Sequence, residues 1–178
     1  FAPGRVVPRW LCVIFLLPLL VGQIPRSASQ GEVQLTLLDV GQGLSVVIKG
    51  ANHTVVYDTG PKYGARFDTG QQIVTPFLRS QGISRIDRLI VSHNDNDHAG
   101  GAEALRRNFE INQTLRSLPV NAMDISCDQV DGWIMDGVKY SLVQHVSIKQ
   151  INNTNDQSCV LLVQTKRYTI LLPGDISS

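Results

Sequence analysis

The sequence predicts a mixed α/β (α+β) fold, and three observations carry that expectation. Short runs rich in Val, Ile, Leu and Tyr outnumber stretches with helical periodicity. The two kinds are interleaved along the chain, which favours mixed sheets flanked by helices over a bundle or a pure β-sandwich. Apolar residues make up 43% of 178 positions, enough for one domain of ordinary size with a sizeable core and too many for a disordered chain. The formal net charge of +1 argues against a strongly basic nucleic-acid binder. It leaves room for a site that meets phosphates through metal ions, because those cations come from outside the chain.

Trp10 to Gly22, "WLCVIFLLPLLVG", is almost wholly apolar and comes after Arg5 and Arg9. It reads as a membrane span extended to residues 6–24, as the apolar core of a secretory signal peptide ending near "SAS", or as a buried helix. Pro18 and the lack of a polar face count against the buried helix. The Arg excess places the preceding side in the cytoplasm, so the span and the signal peptide both export the remainder of the chain. The start at Phe1 and the stop after "LLPGDISS" read as a fragment of a longer protein, with residues 1–31 as the end of a membrane region plus linker and residues 32–178 as the globular part.

Within that part, Val33–Val40, Leu44–Lys49 and Thr54–Tyr57 are expected as three strands of an antiparallel meander, with "GQG" at Gly41–Gly43 as a turn. Gln71–Arg79 is expected as a helix ended by "SQG". Ile86–Ser92 is a buried strand and Gly101–Phe109 a short helix. Residues 110–139 carry no clear period. Lys139–Gln144, Val160–Gln164 and Tyr168–Leu172 close the series as strands.

The chemistry-bearing stretch is Val91–Gly101, "VSHNDNDHAGG". It succeeds a strand directly, where α/β sheets place their sites. His93, Asp95, Asp97 and His98 offer imidazole and carboxylate at close spacing, a pattern suited to divalent metals. In an extended segment His93, Asp95 and Asp97 share a side and converge. Gly100 and Gly101 then start a helix whose N-terminus favours a nearby anionic group. A polar turn explains Asn94 and Asn96 but not two histidines. Asp58 in "YDTG" is a candidate to orient a ligand histidine, or else an Asx-type turn. "DVGQG" is a tight turn with a further claim on the site, and Asp175 in "LLPGD" is the best candidate for a bridging carboxylate. His53, in "GANH", is expected as a solvated turn residue, and His145 is left undecided. Cys127 and Cys159 lack metal-site spacing. They are either a disulfide in an oxidising compartment or two buried thiols.

The ordered motifs "LLDVGQG", "VVYDTG", "LIVSHNDNDHAGG", "NDQSCVLLV" and "ILLPGD" resemble the metallo-β-lactamase-like domain of ComEC-type proteins, bacterial membrane proteins of natural transformation. "DGWIMDGVKYSLVQH" and "NDQSCVL" resemble the proteobacterial branch. The resemblance covers about residues 34–178 and implies an αβ/βα sandwich, C-terminally truncated here and preceded by one transmembrane segment. Against the superfamily pattern HxHxDH, Asp95 stands in place of the second histidine. Asn155 stands where a further histidine ligand is usual, and Asp175 matches the bridging aspartate. What the resemblance implies is a two-metal phosphodiesterase (nuclease). His93 and Asp95 would hold one ion and Asp97 and His98 the other, with Asp175 between them and Asp97 also acting on the water. The extra carboxylate shifts the expected ions from Zn towards Mn or Mg. The implied partners are single-stranded DNA, the membrane and the DNA-uptake machinery, with the domain outside the bacterial inner membrane. Cys127 and Cys159 are then expected to pair in the periplasm. The alternatives are an exported small-molecule metallo-hydrolase and a non-catalytic module with a degenerate metal site. The fragment alone is expected to be inactive and to expose an apolar sheet face.

Overall fold

The computed structural model describes residues 28–64, 67–143 and 154–176. The expected span or signal peptide and His145 lie outside the described residues. Among the described residues no helix is long and apolar enough to cross a membrane.

The first sheet has six strands. Strands β1 (Gln34–Leu37), β2 (Val46–Lys49) and β3 (Thr54–Tyr57) form the expected antiparallel meander. A two-stranded ribbon, β4 (Lys62–Tyr63) and β5 (Phe67–Asp68), leads into a π-helical stretch, Gly70–Val74, continuous with helix α1 (Thr75–Ser80). Pro76 near its start fits the missing N–H donor there. Strand β6 (Arg85–Val91) pairs in parallel with β3, Tyr57 opposite Ile90. One helical turn, α2 (Asn96–Ala99), and helix α3 (Ala102–Asn108) return the chain to β7 (Glu110–Arg116), which pairs in parallel with β6 and with the short β8 (Asp124–Ser126).

The second sheet is antiparallel, in the order β12-β11-β10-β9, from β9 (Gly132–Met135), β10 (Val138–Val143), β11 (Val160–Gln164) and β12 (Thr169–Leu172). Residues 110–139, unreadable in sequence, thus hold an edge of each sheet. The reason is visible in β7, "EINQTLR", where only Thr114, Leu115 and Arg116 are buried.

Alternation places two cores on the two faces of the first sheet. Val46, Ile48, Val55, Tyr57, Ile90 and Leu115 point towards the second sheet and meet Tyr140, Leu142, Leu161 and Val163. Val47, Val56, Leu89 and Val91 point the other way, against Val74, Leu78, Ala102 and Leu105 of the helices. A sheet buried on both faces reads as continuous apolar runs, as "TVVY" and "RLIV" do. Truncating Ile90 or Leu89 to Ala would remove about 2–5 kcal/mol from one core or the other. The outer face of the second sheet leaves Ile134 and Leu171 more than half exposed.

The sheets are joined across their common core. The Tyr57 hydroxyl donates to the Cys159 carbonyl at 2.7 Å and lies 3.1 Å from that of Leu172. Cys127, just after β8, forms a disulfide with Cys159, just before β11.

His53 corrects the sequence expectation. It is not solvated but 6% exposed, with Nδ1 2.7 Å from Asp136 and Nε2 2.6 Å from the Tyr140 hydroxyl. The β2–β3 turn that carries it packs on the β9–β10 turn, so burial comes from a partner strand its own neighbours do not reveal.

Candidate metal centre

The carboxyl ends of β3, β6 and β12 meet at one end of the sandwich. The first contributes Asp58, the second Ser92 and His93, the third Asp175. Asp58 takes a left-handed backbone conformation, φ 58°, a cost for a residue with a Cβ. Its carboxylate is fully buried and offsets that cost with three bonds. Oδ1 accepts from the Ser92 N–H at 2.7 Å, and Oδ2 from the Ser92 hydroxyl and His98 Nδ1, both at 2.8 Å.

These bonds fix both imidazoles. The Ser92 hydroxyl spends its one proton on Asp58, so it accepts from His93 Nδ1 at 3.0 Å. His98 donates from Nδ1 to Asp58 directly. Each ring therefore turns an Nε2 lone pair into the site, the tautomer a metal ligand needs. His93 Nε2 is buried and has no hydrogen-bond partner, a state that costs free energy unless something binds there. The two rings lie 4.1 Å apart.

Carboxylates rim the pair. Asp95 Oδ2 is 3.7 Å from His93 Nε2. Asp97 Oδ2 and Asp175 Oδ1 stand 3.8 and 3.3 Å from His98 Nε2. The histidines are buried while the three acids keep a third to a half of their side chains exposed. Burial pushes the Asp58 carboxyl up, against the pull of its bonds to His98 and Ser92. Burial pushes His98 down, but the carboxylates of Asp58, Asp175 and Asp97 outweigh it, and the net direction is up.

His93, Asp97 and His98 offer ligand atoms all within 4.8 Å of one another. An orphaned imidazole nitrogen, a second of the same tautomer and three partly hydrated carboxylates make a donor set that fits a divalent ion.

The local backbone departs from the extended loop expected. Asp95 sits at the N-cap position of α2, φ −67° and ψ 148°, so the chain turns helical at Asn96, before the glycines. Asp97 therefore does not share a side with His93 and Asp95 by alternation. It approaches His98 from the helical turn. Asp95 is a preferred N-cap type, a signal present in the sequence. Gly101 stands at the N-cap of α3, as expected, and both glycines also serve close packing: a Cβ on Gly100 would overlap the Pro61–Lys62 backbone, and one on Gly101 that of Thr59 and Gly70. The "DVGQG" turn abuts α2, since Leu44 N–H donates to the Asp97 carbonyl at 3.2 Å. Gly43, φ 124°, leaves no space for a Cβ beside that carbonyl.

Asn155 reaches the site through its carbonyl, which accepts from the Ser158 N–H at 3.0 Å and hydroxyl at 2.6 Å. Ser158 Oγ in turn lies 3.4 Å from His93 Nδ1. Neither Ser92 nor Ser158 stands out in the sequence, because nothing local separates such a serine from a strand end. Asn94, which reads there as turn filler, fastens the loop: its Oδ1 accepts from Arg116 at 3.0 Å and its Nδ2 donates to the Leu118 carbonyl at 3.0 Å.

Comparison with known proteins agrees with this architecture. The model of the metallo-beta-lactamase superfamily matches residues 38–121. Competence protein ComA of Neisseria gonorrhoeae is 32% identical over 93% of this chain and 23% of its own length. The chain belongs to the metallo-β-lactamase superfamily. Recombination protein 2 of Haemophilus influenzae is 32% identical over 84% of the chain and 19% of its length, and ComE operon protein 3 of Bacillus subtilis 29% identical over 85% and 23%. The chain thus spans about a fifth of these curated relatives. Among solved structures, a metallo-β-lactamase with the HARLDQ motif from Cronobacter sakazakii superimposes with a TM-score of 0.57 at 16% identity, covering 83% of this chain and 61% of that one. The metallo-β-lactamase SMB-1 gives 0.56 at 14%, covering 83% and 63%. These two share the fold. Members of this superfamily bind divalent metals, and the His/Asp cluster of this metallo-β-lactamase domain lies where the ends of its strands converge.

Proposed function

We propose that the chain is the exported, metal-dependent phosphodiesterase (nuclease) domain of a membrane DNA-uptake protein. It would be held by residues 6–24 on the periplasmic side of a bacterial inner membrane and act on incoming single-stranded DNA. The observation that carries this is the buried, unpartnered Nε2 of His93, set among Asp95, Asp97, His98 and Asp175. Relatives named for competence and recombination support a role in DNA uptake.

Two divalent ions, Mn, Mg or Zn, would supply Lewis acidity towards a phosphodiester and a water acidified for in-line attack. His93 and Asp95 would hold one, Asp97 and His98 the other, with Asp175 shared. The chain's own groups do the rest. Asp58 holds His98 by its Nδ1 and, through Ser92, His93, so neither ring turns away. Asp97, two-thirds buried, takes the proton of the attacking water and orients it. The sandwich floor of buried imidazoles keeps the polar groups to one open side.

Single-turnover cleavage of a 5′-labelled single-stranded oligonucleotide by the full-length protein in Mn²⁺ tests this. Asp97→Asn is expected to lower the rate about 10²–10⁴-fold. Wild-type protein that retains neither metal nor DNA would sink the proposal. Asp95 and Asn155, in positions where histidines are usual, favour a second reading: a module that binds metal without catalysis. Tight metal binding with no cleavage of DNA, in wild type as in Asp97→Asn, would select it.

A further inference from the structure

The end of the domain away from the histidines is closed by hairpin turns. Gly50–His53, Asp136–Gly137 and Thr165–Tyr168 lie there, at the opposite ends of the strands that deliver Asp58, Ser92 and Asp175. The described chain also enters at this end. Gly31 N–H donates to the Asp136 carbonyl at 2.7 Å, and Lys166 passes close enough that a Cβ on Gly31 would meet its Cε at 3.1 Å. Lys166 and Arg167 are exposed, and Tyr168 is 70% exposed. With Gln30 and Glu32 they border an open cleft of about 380 Å³. The turn presents them at fixed spacing: Thr165 Oγ1 accepts from the N–H groups of Tyr168 at 2.9 Å and Arg167 at 3.3 Å. Asp136, in the adjoining turn, is engaged by Asn52 and His53.

We propose that this hairpin end docks on the anionic lipid headgroups of the bilayer that holds residues 6–24, through Lys166, Arg167 and Tyr168, and so turns the His93–His98 site away from the membrane. The proposal rests on residues 6–24 being membrane-embedded. The tether is short: the six residues between Ile24 and Gly31, fully stretched, reach less than about 25 Å. The entry point stays within that distance of the surface, and on docking the two cations beside it come within about a Debye length, 8 Å, of a negative surface potential. An exposed tyrosine beside them suits the headgroup level, where an apolar ring and a polar hydroxyl both find partners.

The test uses the full chain in vesicles of phosphatidylcholine with or without phosphatidylglycerol. An environment-sensitive fluorophore is attached at Tyr168→Cys or Gln42→Cys, each in a Cys12→Ser background, and nitroxide headgroup lipids serve as quencher. The expected result is strong quenching at position 168 in anionic vesicles and little at position 42. Lys166→Glu with Arg167→Glu should lower the docked-to-free ratio roughly fivefold per charge removed. A chain that floats with the vesicles but is quenched equally at both positions, or at neither, overturns the docking and leaves the membrane segment standing. A chain that does not float overturns both. A fluorophore at 168 that ignores anionic lipid but responds to a single-stranded oligonucleotide overturns the lipid surface in favour of a nucleic-acid strand.

Discussion

One buried carboxylate, Asp58, sets the tautomers of two histidines. Asp58→Asn keeps the shape and the tolerance for a left-handed backbone, but its amide cannot accept all three bonds, so His98 and Ser92 lose a common anchor. Metal affinity is expected to fall about 10–100-fold in a competitive chelator titration, with the fold intact by circular dichroism. Unchanged affinity would show that the rings hold themselves. Asp136 offers a second residue-scale prediction. The Asn52 N–H and His53 hold its carboxyl below the usual carboxylate range. A depressed pKa contributes stability that is present above about pH 4, the unfolded value, and lost as pH falls through the folded one. Wild type should therefore exceed Asp136→Asn in urea midpoint at pH 6, and the gap should narrow steadily as the pH falls below about 4. A gap that does not narrow would assign the effect to shape. The two histidine environments also mark what sequence conveys at this scale. His93 and His98 were legible because four ligand side chains crowd six positions. His53 was not, because its partner Asp136 lies 83 positions away and the turn around it looks polar.

At the scale of elements, the strands with apolar neighbours on both sides were the readable ones: Thr54–Tyr57 and Val160–Gln164 match expectation residue for residue. Residues 110–139 were not readable, because β7 and β8 bury only part of their length and carry mixed side chains. The helical turn α2 was missed for a different reason. A metal-ligand pattern drew attention to side chains, whereas the turn is held by backbone bonds from the His98 and Ala99 N–H groups to the Asp95 carbonyl. The "DVGQG" turn depends on that helical turn in a way a mutation can expose. Gly43→Ala forces a Cβ against the Asp97 carbonyl at a backbone angle that L-residues avoid. A loss of about 1–3 kcal/mol in urea unfolding is expected, with weakened metal retention because Asp97 must shift. A neutral result would mean that the turn is free to move away from α2.

For the molecule as a whole, the division into two cores explains why a chain of modest charge and ordinary composition still encodes a specific architecture. The alternation that sends Val46 to one core and Val47 to the other fixes the first sheet between two layers. The disulfide adds a covalent tie between those layers. Thiol counting of the unreduced, denatured chain should find only Cys12, and reduction should lower stability by about 2–4 kcal/mol. Three thiols before reduction would show that Cys127 and Cys159 meet without bonding. The opposed ends of the sandwich give the molecule a polarity: ligand side chains at the carboxyl ends, turns and chain entry at the other.

Asp175 follows the last described strand, whereas His93 follows a central strand of the other sheet. The pocket between them has no existence until the two sheets have closed and β12 has found its register, with Gly174 seated against Ser92 and Ser158. An ion that bridges them therefore reports completed folding and, by mass action, holds it in place. On the proposed reading, the stability of the closed sandwich would therefore rise with the concentration of free divalent metal.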